Sequence, residues 1–159
     1  MDKLEQLKNK LESADIPDEE IDKIIFFLGR EKYVKAKKTI EKFLNHKNRG
    51  IRNAALSTLV FKFVIDKHAA TCKKFMLHDT DEYNRALGAS GLGMLLVKTN
   101  NKNAIKSLLQ VFLNKRETRY VRDTAYDSIL HIQGIPFEDR PKLPSKLDYK
   151  DFTYMSYLK

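Results

Sequence analysis

The sequence contains several residue sets whose types and spacing resemble known chemistry, and each can be weighed against the reaction it would serve. Gly88-Ala89-Ser90-Gly91-Leu92-Gly93 has the glycine density of a phosphate-cradling loop. No strand-forming run precedes it and no Lys-Ser or Lys-Thr follows, so it reads as a helix segment made for close packing. Cys72 stands one turn before Phe75 and Met76, which is a core position rather than that of a nucleophile. His46, His78 and His131 have no His or Cys three or four residues further on and His68 has only Cys72, a spacing that gives no ligand set for a metal site. Asp123 and Asp127, one helical turn apart, have the pairing for acid–base work, but carboxylates on an exposed helix face mostly serve to solvate it. Neither a Gly-x-Ser-x-Gly elbow nor a His-Glu-x-x-His pair occurs. The expectation is a protein that is not an enzyme, with no catalytic residue, no metal and no cofactor.

The elements that would position these residues follow from composition and periodicity. A chain of 159 residues that is 42% apolar and 32% charged suits a single globular domain with its own core. One cysteine makes no internal disulfide, the start Met1-Asp2-Lys3-Leu4-Glu5 has no apolar leader, and no apolar run reaches about 18 residues. A soluble, cytoplasmic protein is expected, a monomer or weak homo-oligomer that does not engage membranes. The net charge of +9 is unevenly placed: residues 35–78 carry 11 basic and 2 acidic side chains, equal to the whole excess, whereas residues 1–34 are net acidic. Within the basic segment Lys35, Lys38 and Lys42 form a stripe at i, i+3 and i+7, opposite Ile40, Phe43 and Leu44.

Apolar spacing is helical until the last 25 residues. Leu4, Leu7 and Leu11 mark a first helix. Pro17 and the acidic run after it open a second, with Gly29 at its end. Further helices are predicted over 31–45, 50–65, 67–78, 82–97, 101–114 and 118–132, giving four helical hairpins and no sheet. The hairpins repeat internally. The segments beginning Ile51-Arg52, Asn84-Arg85 and Val121-Arg122 align, with Arg at 52, 85 and 122, a small residue at 55, 88 and 125, and an aliphatic one at 59, 92 and 129. The small residue lets neighbouring helices approach. The helix dipole disfavours a cation at a helix start, so each arginine is expected to reach an acidic group or carbonyl of the adjoining repeat, with Asp79, Asp81 and Asp123 as candidates.

This apolar-Arg-x-x-small-x-x-x-aliphatic pattern resembles the second helix of HEAT repeats, particularly the short bacterial type named after phycobilisome lyases. The resemblance implies an all-α fold, an α-solenoid or superhelix of about eight helices. Recognisable repeats would cover 36–65, 67–97 and 101–132, with a helical cap over 1–30, all in one domain spanning 1–134. It also implies that the second helices line a concave face, into which Ser57, Phe61, Ser90, Met94, Asp127 and His131 would point, with Lys62 at its edge. If Phe61 and Met94 were bare they would mark a contact surface.

Residues 135–159 form a C-terminal extension holding five aromatics and three prolines, Pro136, Pro141 and Pro144. Prolines favour an extended path and aromatics favour burial, so this tail is expected to pack on the helices. The functional expectation is a protein-binding scaffold, adaptor or inhibitor using the concave face. The alternative is a nucleic-acid-binding protein using segment 35–78, through Lys35, Lys38, Lys42, Lys47 and Arg49. HEAT-like DNA glycosylases bind duplexes comparably, but this chain has no tryptophan to contact a base.

Overall fold

A computed structural model gives the structure of residues 2–13 and 15–140. All regular structure among them is helical, and the chain divides into two compact units, Met1–His68 and Ala69–Lys159.

In the first unit α1 (Lys3–Leu11) and α2 (Asp18–Arg30) pair, and α2 packs in turn on α4 (Arg49–Ser57). Ile21, Ile24, Ile25 and Leu28 line the inner side of α2, and Ile51, Ala54, Ala55 and Leu56 that of α4. Between them runs a broken helix, α3 (Lys37–Glu41), with a 3₁₀ turn on either side, Val34–Ala36 and Lys42–Asn45. Its inward residues Ala36, Ile40 and Leu44 are buried while the lysines opposite face solvent. Gly29 is not an end signal: a methyl group built on it would lie 2.9 Å from Thr58 Cγ2 and Oγ1, so glycine permits α2 to approach the chain after α4.

Beyond α4 the helix widens into a π turn, Thr58–Lys62, closed by the Phe63 amide donating to the Thr58 carbonyl at 3.0 Å. The chain then leaves through Val64 at φ +51°, a left-handed conformation that a β-branched side chain adopts only under strain. The turn Asp66–His68 completes this unit, with Lys67 Nζ 2.8 Å and His68 Nε2 3.1 Å from the same Glu41 oxygen.

The second unit holds α5 (Ala69–His78), α6 (Glu82–Leu95), α7 (Lys102–Leu113) and α8 (Arg119–Gln133). Helix α6 lies between α5 and α8, and α7 packs on α8. The glycine-rich run is the inside of α6. A methyl group at Gly88 would sit 2.5 Å from the Cys72 carbonyl oxygen and the Met76 amide nitrogen, and one at Gly93 would sit 2.8 Å from Ser128 Cβ. Glycine at 88, where the other repeats have alanine, therefore answers a backbone-to-backbone approach by α5. Tyr126 is wholly buried with its ring 5.1 Å from that of Phe112. Gly134, at φ +75°, ends α8, with the Ile135 amide donating to the Leu130 carbonyl. Among the described residues no helix is long and apolar enough to cross a membrane.

Candidate functional site

The three repeat arginines do not face outward. Asn48, Asp81 and Thr118 cap α4, α6 and α8, accepting from the Gly50, Asn84 and Val121 amides, and each stands four residues before its arginine. The guanidinium then turns back to carbonyls that precede its helix in the same hairpin. Arg52 Nη1 donates to the carbonyls of His46 (2.9 Å) and Lys47 (3.0 Å). Arg85 Nη1 donates to those of Asp79 (3.0 Å) and Thr80 (3.2 Å). Arg122 Nε donates to that of Phe112 (2.7 Å). A cation disfavoured by the dipole of its own helix is thus held by carbonyls of the preceding turn at Arg52 and Arg85, and at Arg122 by a carbonyl in the last turn of α7, where positive charge is favourable.

Only part of the expectation about acceptors therefore stands. The carbonyls belong to the arginine's own hairpin, and the one adjoining-hairpin carboxylate given by the structure is Glu117, which Arg85 binds through Nε (2.8 Å) and Nη2 (2.9 Å). Asp79 instead accepts from the Asp81 amide, and Asp123 pairs with Arg119 at 3.1 Å. The capping residue is a fourth element of the repeat that the alignment missed, although Asn48, Asp81 and Thr118 are legible in the sequence at the same offset.

The expected concave-face residues fall in both units. In the first, Ser57 ends α4, and Phe61 and Lys62 lie in the π turn; Ser57 and Phe61 are half-buried and Lys62 is exposed. In the second, Ser90 and Met94 on α6 and Asp127 and His131 on α8 are all half-buried. Neither Phe61 nor Met94 is bare. Asp127 accepts from Arg140 Nη1 at 2.7 Å, and its other oxygen lies 3.6 Å from His131 Nδ1. Arg140, after α8, thus reaches back to that stripe, whose two side chains stay about half exposed, at 45% and 51%. Phe137, the first aromatic of the extension, is 81% exposed, with the Arg140 guanidinium over its ring. The aromatics Tyr149, Phe152, Tyr154 and Tyr157, with Pro141 and Pro144, lie outside the described residues.

Cys72 is buried, and burial pushes its thiol up to about 12. His68 is buried beside Glu41 and burial holds its pKa below the usual histidine value, outweighing the carboxylate. Among the described residues no three His, Cys, Asp or Glu side chains cluster as metal ligands would. The basic-stripe residues Lys35, Lys38, Lys42, Lys47 and Arg49 are all exposed.

One surface feature of the second unit was not singled out in the sequence, although Tyr83 and Tyr120 each stand two residues before a repeat arginine. Tyr83, in the first turn of α6, and Tyr120, in the first turn of α8, place their rings 5.7 Å apart, tilted by 56°. They are 58% and 55% exposed. Leu77 and Leu113, near the ends of α5 and α7, are exposed as well. Comparison of the chain with known protein families, curated proteins and solved structures gives no match in any of the three.

Proposed function

We propose that this is a non-enzymatic protein-binding module built of HEAT-like helical hairpins, which contacts its partner through surface aromatics rather than through reactive groups. The observation that carries the reading is the exposed Tyr83–Tyr120 pair. Tyrosine presents a large, rigid, amphipathic surface at low entropic cost, and it is among the residue types that dominate binding energy at protein interfaces. The contact between the rings adds a little to the packing of α6 on α8, but more than half of each residue stays exposed. The reading agrees with the repeat pattern, since stacked hairpins serve widely as rigid binding surfaces. The groups with chemical potential support it too: the Cys72 thiol is held neutral by burial, and the repeat arginines are committed to latching hairpins.

Because both tyrosines are exposed, replacing them leaves the core intact, unlike replacement of the half-buried Phe61 or Met94. The test is capture of partners from the native host with the full chain and with Y83A/Y120A. The double variant keeps its helical circular dichroism and loses the captured protein. Capture equal to that of the parent chain would overturn the assignment of this surface.

A further inference from the structure

We infer that the first unit carries, independently of the tyrosine surface of the second, a binding face for the phosphate backbone of duplex nucleic acid, formed by Lys35, Lys38, Lys42 and Lys47.

The four side chains are exposed along the outer side of the broken helix 34–45 and the turn after it. Among the described residues none of them is in an ion pair. Of the carboxylates next to this segment, Glu5 and Glu41 are paired with other lysines, whereas Glu12 and Asp18 accept from neutral donors and offset part of the charge. Glu5 bonds to Lys8 at 2.7 Å and to the Tyr33 hydroxyl, and Lys35 acts on it only at longer range. Glu12 accepts from Thr39 (2.6 Å), Asp18 from Asn48 (3.3 Å), and Glu41 is held by Lys67 and His68. A positive field is therefore left facing solvent.

Three features of the face choose among polyanions. A membrane-surface helix needs a free apolar side, but Ala36, Ile40 and Leu44 are buried inside the unit. A protein interface needs apolar or aromatic anchors at its centre and is depleted in lysine, whereas the exposed residues here are mostly lysines and asparagines with Arg49, exposed Val34 stands at the start of the segment rather than among them, and Phe43 is half-buried with its ring against His46. For the same reason no ring is available to stack an unpaired base, which disfavours single strands. What remains is recognition of closely spaced phosphates by point charges. From Lys35 to Lys42 the helix rises roughly 10–14 Å at about 1.5–2 Å per residue, a length over which a duplex offers several phosphates. Binding of this kind is independent of sequence.

The experiment is fluorescence anisotropy of a labelled 20-base-pair duplex with the full chain over a salt series. Four phosphate contacts predict a log–log salt slope of about −3.6, so affinity falls on the order of 100-fold between about 50 and 200 mM salt. K38E/K42E, whose substitutions are on the exposed side, keeps the helical spectrum and flattens the slope by about 2. Three further probes separate the sources of negative charge: a single-stranded oligonucleotide of the same length, poly-L-glutamate, and vesicles containing phosphatidylserine. Weaker binding of all three than of the duplex supports the inference. It is overturned by no duplex binding at about 50 mM salt, by a slope unchanged in K38E/K42E, or by polyglutamate or vesicles binding as tightly as the duplex. Failure here leaves the tyrosine surface untouched, since that test reads a different pair of variants.

Discussion

Arg85 and Glu117, 32 residues apart, meet through two parallel hydrogen bonds, Nε to Oε2 at 2.8 Å and Nη2 to Oε1 at 2.9 Å, and tie the α5–α6 turn to the α7–α8 turn. Both side chains are largely buried, at 19% and 12% exposure, so solvent screens the pair little. Burial alone would raise the Glu117 pKa, but the bonds from Arg85 and from the Thr118 amide outweigh it and hold the carboxyl below the usual range. A carboxylate of depressed pKa contributes stability above its unfolded value of about 4.5, and loses it as pH falls through the folded value. E117Q is therefore expected to cost about 2 kcal/mol at neutral pH and to shrink the acid-induced loss below about pH 4.5. R85K, which cannot reproduce the fork, should also destabilise. Urea unfolding at pH 7 and pH 4 checks both.

Gly88 sets how near α5 can come to α6. In G88A the new methyl group would meet backbone on α5, 2.5 Å from both the Cys72 oxygen and the Met76 nitrogen, so a helix rather than a rotamer has to move. A loss of about 3 kcal/mol or more is expected. G50A is the control, because its methyl group would meet only Asn48 Oδ1 at 3.4 Å. It should leave stability level or raise it by about 0.5 kcal/mol. Thermal melts of the two variants distinguish a packing role from a general cost of losing glycine.

Val64 is strained and 52% exposed, so its side chain contributes little burial to offset its left-handed backbone. V64G should stabilise the protein by about 1 kcal/mol, seen as a higher urea midpoint at unchanged slope. A lower midpoint would mean that the valine side chain is worth more than the strain it imposes.

His68 provides a pH window distinct from that of Glu117. It is buried against Glu41, with Lys67 beside it and the charge of Lys37 also acting on it, and burial keeps it below its ordinary pKa. A base whose folded pKa is depressed binds fewer protons folded than unfolded. Its contribution is complete above about pH 6.5 and declines as pH falls towards the folded value. The melting temperature should therefore fall between about pH 7 and pH 5, and H68Q should flatten that part of the curve. Titration of the His68 ring protons by NMR reads the folded value directly.

Helices and hairpins were legible because burial imposes a 3.6-residue period, and the predicted spans over 67–78, 82–97, 101–114 and 118–132 agree with α5 to α8 within a few residues. The fourth helix was expected to run to residue 65, but it passes into a π turn at Thr58. Such a widening preserves the apolar pattern locally, so periodicity does not register it. The small-residue register was visible, while the reason glycine is needed at 88 depends on an α5 backbone whose distance no pattern encodes. Carbonyl or acidic acceptors were expected for the repeat arginines in the adjoining repeat, but the carbonyls lie in the arginine's own hairpin, because the turn before each helix brings them within reach of a side chain four residues past the cap. The tyrosine pair was hidden for a related cause: Tyr83 and Tyr120 are 37 positions apart and become neighbours only because α6 and α8 pack with their starts together.

The latching of each arginine to carbonyls of its own hairpin bears on how such a chain can be rearranged. A hairpin that closes its own turn can be duplicated, deleted or moved without a compensating change next door, because the lock travels with the segment. The α5–α6 hairpin departs from this, since Arg85 also grips a residue of the next turn. A transplanted copy would remain closed but would lose its registration against whatever followed it, so the join between α5–α6 and α7–α8 resists shuffling.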